Sequence, residues 1–130
     1  MASIFTRIIK GEIPSYKIAE DKDFFAFLDI NPVARGHALV VPKKEIDYLF
    51  DLDDDTLGGL HVFAKKVAKA IEKSVVCQRI GTAVAGLEVP HAHLHLIPIN
   101  SISDLSFQNP KLKLSDQEFK ELLEKIKSNL

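Results

Sequence analysis

Three histidines stand at alternate positions in His91-Ala92-His93-Leu94-His95-Leu96-Ile97, and an apolar run follows them. In a strand, successive side chains point to opposite faces and residues two apart are separated by about 6.6–6.8 Å. His91, His93 and His95 therefore share one side, while Ala92, Leu94 and Leu96 share the other. The segment predicts a strand from Ala92 to Ile99 with an imidazole row on one face and core on the other.

The rest of the chain supplies partners for such a strand. Ile4 to Lys10 is a short segment ending at Gly11, and Pro14 introduces an alternating stretch, Tyr16 to Glu20, that reads as a strand. Phe24 to Leu28 is apolar and aromatic. Asn31-Pro32 and Arg35-Gly36 are turn signals, and His37 to Val41 is a β-branched run stopped by Pro42, so an antiparallel meander is expected. From Asp53 to about Val75 the period lengthens, with Leu57, Leu60, Ala64, Val67 and Ile71 three and four residues apart on one face of a long helix. Asp53, Asp54 and Asp55 suit its N-terminus, while Gly58 and Gly59 weaken its first turn. Gln78 to Val84 reads as a further strand. Ser115-Asp116-Gln117-Glu118 is a capping-box pattern opening a last helix with Phe119, Leu122, Leu123 and Ile126 on its apolar face.

The chain has 130 residues, 46% of them hydrophobic. That length supports one compact domain burying roughly two-thirds of its unfolded surface. A formal charge of −1 without a basic patch argues against bulk attachment to nucleic acid or an acidic membrane and favours a small-molecule partner. No apolar stretch approaches the ~20 residues needed to span a bilayer. A single cysteine, Cys77, and a start without a signal-peptide pattern suit a cytoplasmic protein. Cys77 reads as a small buried residue. His61, on the long helix, reads as packing or surface, and Lys43 and Lys44 as solvated charge.

Three neutral imidazoles in a row admit three chemistries. They form a structural cluster, or they hold a metal with His37 or an acid completing the set, or one of them is a covalent nucleophile among groups that bind an oxyanion. Gly81 and Gly86, just upstream, free the backbone to approach a ligand and present N–H groups to a phosphate. They form neither a dinucleotide fingerprint nor a P-loop. Spacing alone leaves metal binding and nucleophilic catalysis open.

The histidine stretch resembles the signature of the histidine-triad (HIT) proteins. Ile4-Phe5-Thr6-Arg7-Ile8-Ile9, Glu12-Ile13-Pro14, Phe27-Leu28-Asp29-Ile30-Asn31-Pro32 and Gly36-His37-Ala38-Leu39-Val40-Val41-Pro42-Lys43 are similar to the Hint branch in order and spacing. The resemblance runs from about residue 3 to 99 and leaves 100–130 as a C-terminal extension without functional carry-over. It implies a single HIT-like domain of α+β class: an antiparallel five-stranded sheet, one long central helix and a C-terminal helix, assembled as a homodimer. It further implies a phosphoramidase-like hydrolase or transferase of α-phosphate-substituted, purine nucleotides that works without a cofactor. His93 would attack the phosphorus to form a nucleotidyl-histidine, His95 would contact the phosphate oxygens, and His91 and His37 would orient the rings. Ile4, Phe5, Ile8, Phe27 and Ile30 would surround the base and Asp29 would accept from the ribose. Of these, Ile4, Ile8 and Phe27 are equally compatible with ordinary core, and Asp29 with a turn before Asn31-Pro32.

The chain departs from that pattern in two places. Leu87 and Glu88 stand where a Gln-Ser pair is usual, which puts a carboxylate, Glu88, near the expected phosphate, to be turned away from it or to handle the leaving group's proton. Ser3 and Thr6 occupy positions that carry cysteines in zinc-holding relatives, and Glu45 replaces a further histidine; structural zinc is therefore not expected. The altered loop gives an alternative reading: a nucleotide-binding or interaction module with little catalysis.

Overall fold

The computed structural model describes residues 2–130. A short helix, α1 (Ile4–Ile9), precedes the strands β1 (Lys17–Glu20), β2 (Phe24–Leu28) and β3 (Ala38–Pro42). The long helix α2 (Asp54–Ser74) follows, then β4 (Arg79–Ala83), β5 (Leu94–Ile99) and the C-terminal helix α3 (Asp116–Ser128). The strands form one five-stranded antiparallel sheet in the order β1-β2-β3-β5-β4, so β1 and β4 are its edges. This is the α+β arrangement expected from the sequence.

β2 and β3 are buried along their whole length, which is why they read as unbroken apolar runs. The period of two sorts their side chains into separate cores. Phe24, Ala26, Leu28, Ala38 and Val40 face the two long helices, whereas Phe25, Phe27, Leu39 and Val41 join Phe5 of α1 on the opposite side. α2 lays Leu60, Phe63, Ala64, Val67, Ala70 and Ile71 on the first face. Its N-cap, Asp53, accepts a hydrogen bond from the Thr56 amide at 2.7 Å. α3 begins with the expected capping box at Ser115 and Glu118 and buries Phe119, Leu122 and Ile126. The Tyr16 ring stacks on Phe119 with centroids 4.6 Å apart, and Asn129 reaches the Ser74 hydroxyl at 3.0 Å, tying α3 to β1 and to the end of α2. No helix among the described residues is long and apolar enough to cross a membrane.

One boundary differs in a way that matters. β5 begins at Leu94, not Ala92, so only His95 of the three histidines lies within the ladder. The cause is a change of hydrogen-bond partner. The Ala92 amide donates to the Ile46 carbonyl at 2.7 Å, and the Pro42 carbonyl at the end of β3 accepts from the His91 ring rather than from a strand backbone. The alternation of faces survives this exit, because Ala92, Leu94 and Leu96 all enter the main core.

Gly59 has a packing role beyond its cost to the helix: a Cβ there would lie 2.8 Å from the Phe24 ring. Ile71, fully buried between helix and sheet, tests the main core. Ile71→Ala is expected to cost about 2–5 kcal/mol, read as a lower urea midpoint at unchanged slope.

Candidate active site

The site is built from the inside outward. His91 has no solvent exposure. Its Nε2 lies 2.7 Å from the Pro42 carbonyl, an acceptor only, so Nε2 carries the proton and Nδ1 presents its lone pair. The Ser3 hydroxyl donates to that lone pair at 2.7 Å. Ser3 also caps α1 by accepting from the Thr6 amide. Glu45 closes the cluster by accepting from the Ser3 amide at 2.7 Å and from the Thr6 hydroxyl at 2.6 Å. These bonds hold the Glu45 carboxyl down at about 2, the Thr6 hydroxyl contributing most.

The same logic assigns the other rings. The His93 Nδ1 is 2.7 Å from the His91 carbonyl, so in the neutral ring Nδ1 is the protonated nitrogen and Nε2 keeps a lone pair. The Val33 amide donates to the His37 Nδ1 at 3.1 Å, which puts the His37 proton on Nε2. That proton is donated to the His95 Nδ1 at 2.9 Å, leaving the His95 Nε2–H as an outward donor. A bare nitrogen on His93 and an N–H on His95 thus stand side by side, their ring centroids 5.0 Å apart. Phe5 meets His93 edge-on at 5.0 Å and His91 at 5.8 Å, fixing the ring planes from the α1 side. Gly36, at φ 98°, turns the chain into His37.

Burial keeps three of these imidazoles, His37, His91 and His95, neutral. It pushes His37 down to about 4, helped by the charge of Lys111. It also pushes His95 down to about 3, helped by the neighbouring His37 and His93 and opposed by Asp29. His91 is lowered by the same desolvation, against the pull of the Pro42 carbonyl and Glu45.

Asp29, His37 and His95 offer ligand atoms all within 4.8 Å of one another, the spacing of a metal site. The hydrogen bonds argue against that use. A metal would need the His37 Nε2 lone pair, which would move the proton to Nδ1 and set it against the Val33 N–H. The Ser3, Thr6, Glu45 and His91 cluster does not suit zinc either, because its hydroxyls are poor ligands and are engaged in hydrogen bonds.

The residues expected around a base fall on the α1 face. Phe5 and Phe27 are buried edge to face at 5.6 Å, with Ile8 half-buried against them. Ile4 and Ile30 are 46% and 64% exposed, apolar surface left open to solvent. Asp29 uses Oδ1 to accept from the Asn31 amide at 2.8 Å, the turn role, while Oδ2 lies 3.5 Å from the His37 Nε2. Glu88 is exposed, and among the described residues no hydrogen bond links it to the histidines. Gly81 is also not a ligand-facing position, since a Cβ there would meet Leu105 at 2.9 Å and Ile99 at 3.0 Å. Gly86 does border the site, at φ 73°, in a cleft of about 370 Å³ that His93 lines.

Sequence reasoning left out several participants. Tyr48, Leu49 and Phe50 wall the His93 cleft, and Phe107 packs on His95 with centroids 4.5 Å apart. Ser3, Thr6 and Glu45 carry one local signal in the sequence, the absence of zinc ligands at their positions, which leaves His91 to be held by something else. For Phe107 there was none, because its contact joins distant segments.

The profile of the HIT domain matches residues 10–102. The chain is 40% identical to an adenosine 5'-monophosphoramidase of Schizosaccharomyces pombe over an alignment spanning 100% of this chain and 99% of that protein. A Hit-like protein from Bartonella henselae, described as involved in cell-cycle regulation, superposes with a TM-score of 0.84 at 33% identity, covering 98% of this chain and 96% of that one. A Zn-bound histidine triad family protein from Mycobacterium smegmatis superposes with a TM-score of 0.83 at 30% identity, over 99% and 93% of the two chains. With the alternating histidines gathered at the entrance to β5, the chain belongs to the histidine-triad (HIT) family.

Proposed function

We propose that this protein is a nucleotide phosphoramidase-type hydrolase whose nucleophile is the Nε2 of His93. The observation that carries the reading is the bond from the His93 Nδ1–H to the His91 carbonyl, which leaves Nε2 unprotonated beside an N–H donor on His95. The relative from Schizosaccharomyces pombe named an adenosine 5'-monophosphoramidase supports the same substrate class.

The chemistry follows from the tautomers. The His93 lone pair attacks the α-phosphorus, forming an N–P bond as the P–N bond to the substituent breaks. The departing amine takes a proton from solvent. The His95 Nε2–H donates to a non-bridging oxygen, where charge develops. Water then attacks the phosphorus and breaks the N–P bond to the cationic imidazole, a good leaving group. His93 returns neutral and one proton is released. One difficult displacement becomes two easier ones.

In this reading Ile4 and Ile30 flank a purine base over Phe5 and Phe27, and the Asp29 carboxylate accepts from the ribose. Glu88, exposed on its loop, has no assigned part. Two copies associate, with β4 offering a free sheet edge. The single cysteine suits a cytoplasmic setting.

His93→Ala is expected to abolish turnover of an adenosine phosphoramidate, and mass spectrometry of quenched wild-type protein should find the nucleotidyl group on His93. His61→Ala, on the exposed side of α2, should leave turnover unchanged. Persisting turnover in His93→Ala, or a label on another residue, would refute the reading. Binding of adenosine monophosphate without turnover of any amide-linked nucleotide would favour a binding module instead.

The lowered histidines also set a pH dependence. His37, His91 and His95 take up protons near 6.5 when unfolded but resist them when folded, so the unfolded state binds more protons as pH falls below that value. Stability should therefore decline from pH 6.5 toward 4.5, above the range where the lowered carboxylates titrate. Urea midpoints across that window provide the check, and a flat profile would contradict the neutral-ring assignment.

A further inference from the structure

The stretch from Ser101 to Leu114 matches no signature motif, yet it crosses the histidines. Asp104 pins its start by accepting from the Asn100 and Ser101 amides at 2.8 and 3.0 Å. Leu105 then seats on Gly81, where a side chain would collide with it. Phe107 lays its ring 4.5 Å from His95 and 6.3 Å from His37. The far end is held by the Leu112 amide, which donates to the Pro32 carbonyl at 2.8 Å, and the Lys111 Nζ donates to the Phe107 carbonyl at 2.6 Å. An anchored strap thus brings an ammonium group to the edge of the His37 and His95 pair.

The site needs such a group. A nucleotide's phosphate arrives as an anion, but burial holds His37 and His95 at this edge neutral, and Asp29 lies beside them. Two other cations, Arg7 and Lys43, are paired, with Glu12 and Glu20. Among the described residues no carboxylate pairs with Lys111. Its charge reaches both rings, since it lowers the proton affinity of His37 and of His95. An ammonium has three donors, and the Phe107 carbonyl uses one.

We propose that the segment from Ser101 to Leu114 is a phosphate-reading strap, in which Lys111, held by the Phe107 carbonyl, supplies the cation that distinguishes a nucleotide from its nucleoside. The proposal rests on the nucleotide reading of the same site. Phe107 acts as the anchor, covering His95 with a ring that excludes water and strengthens the electrostatics beneath it.

The test uses the full-length protein with Lys111→Gln and Lys111→Arg, titrated calorimetrically with adenosine monophosphate and with adenosine at low and high salt. Lys111 is exposed, so both variants should melt as wild type does. Lys111→Gln should weaken adenosine monophosphate binding about tenfold, equivalent to about 1.4 kcal/mol, and leave adenosine binding unchanged. Lys111→Arg should recover most of the loss, and added salt should weaken wild type more than Lys111→Gln. Equal monophosphate affinity in Lys111→Gln and wild type, or an equal loss of adenosine binding, would overturn the strap while leaving the His93 assignment to the labelling experiment. A wild-type protein that binds no adenosine monophosphate would overturn both.

Discussion

Everything at the site hangs on the buried ring of His91. It joins three segments far apart in sequence: the end of β3 through the Pro42 carbonyl, the N-cap of α1 through the Ser3 hydroxyl, and its own chain through the carbonyl that holds His93. An imidazole with no exposure cannot leave either nitrogen unpaired without a cost of about 1–3 kcal/mol, so both bonds are obligatory and together dictate its tautomer. The same bonds take the chain out of the β5 ladder and seat α1, with Phe5, across the histidine row. A residue that looks redundant beside His93 is the joint between fold and chemistry.

The second organising effect is charge neutrality. Burial holds His37 and His95 well below their ordinary range, so the relay from the Val33 amide through His37 to His95 keeps one proton arrangement throughout the neutral range. Backbone groups set both ends of the arrangement. The Val33 N–H fixes His37, and the His91 carbonyl fixes His93, so neither ring depends on a mobile side chain for its orientation. Donors positioned in this way need no reorganisation when charge develops nearby.

The cluster of Ser3, Thr6, Glu45 and His91 shows how a chain closes this corner with hydrogen bonds. Two hydroxyls, a carboxylate and an imidazole form a connected set in which Glu45 accepts from residues 42 and 39 positions away. Its carboxylate side chain is exposed while the imidazole is buried, so the cluster runs from solvent to the heart of the site. The C-terminal strap closes the opposite side, with Phe107 on His95. The row is therefore gripped at both ends by segments outside the sheet.

Local pattern determined the strands, the two long helices and the opposed faces of the histidine stretch, because apolar runs bounded by turn residues, alternation and the 3.6-residue repeat are local properties that burial then enforces. The family resemblance singled out His37, His91, His93, His95 and Asp29, and the fold gathers these five around one site. What the sequence did not disclose was which nitrogen of each ring bears a proton, where β5 begins and that Gly81 serves the packing of Leu105. Nor did it connect Phe107 and Lys111 to His95. Those outcomes depend on hydrogen-bond partners and contacts between segments far apart in the chain, which no local pattern encodes. Tertiary structure decided them because a buried imidazole takes its tautomer from whichever donor or acceptor the fold brings to it.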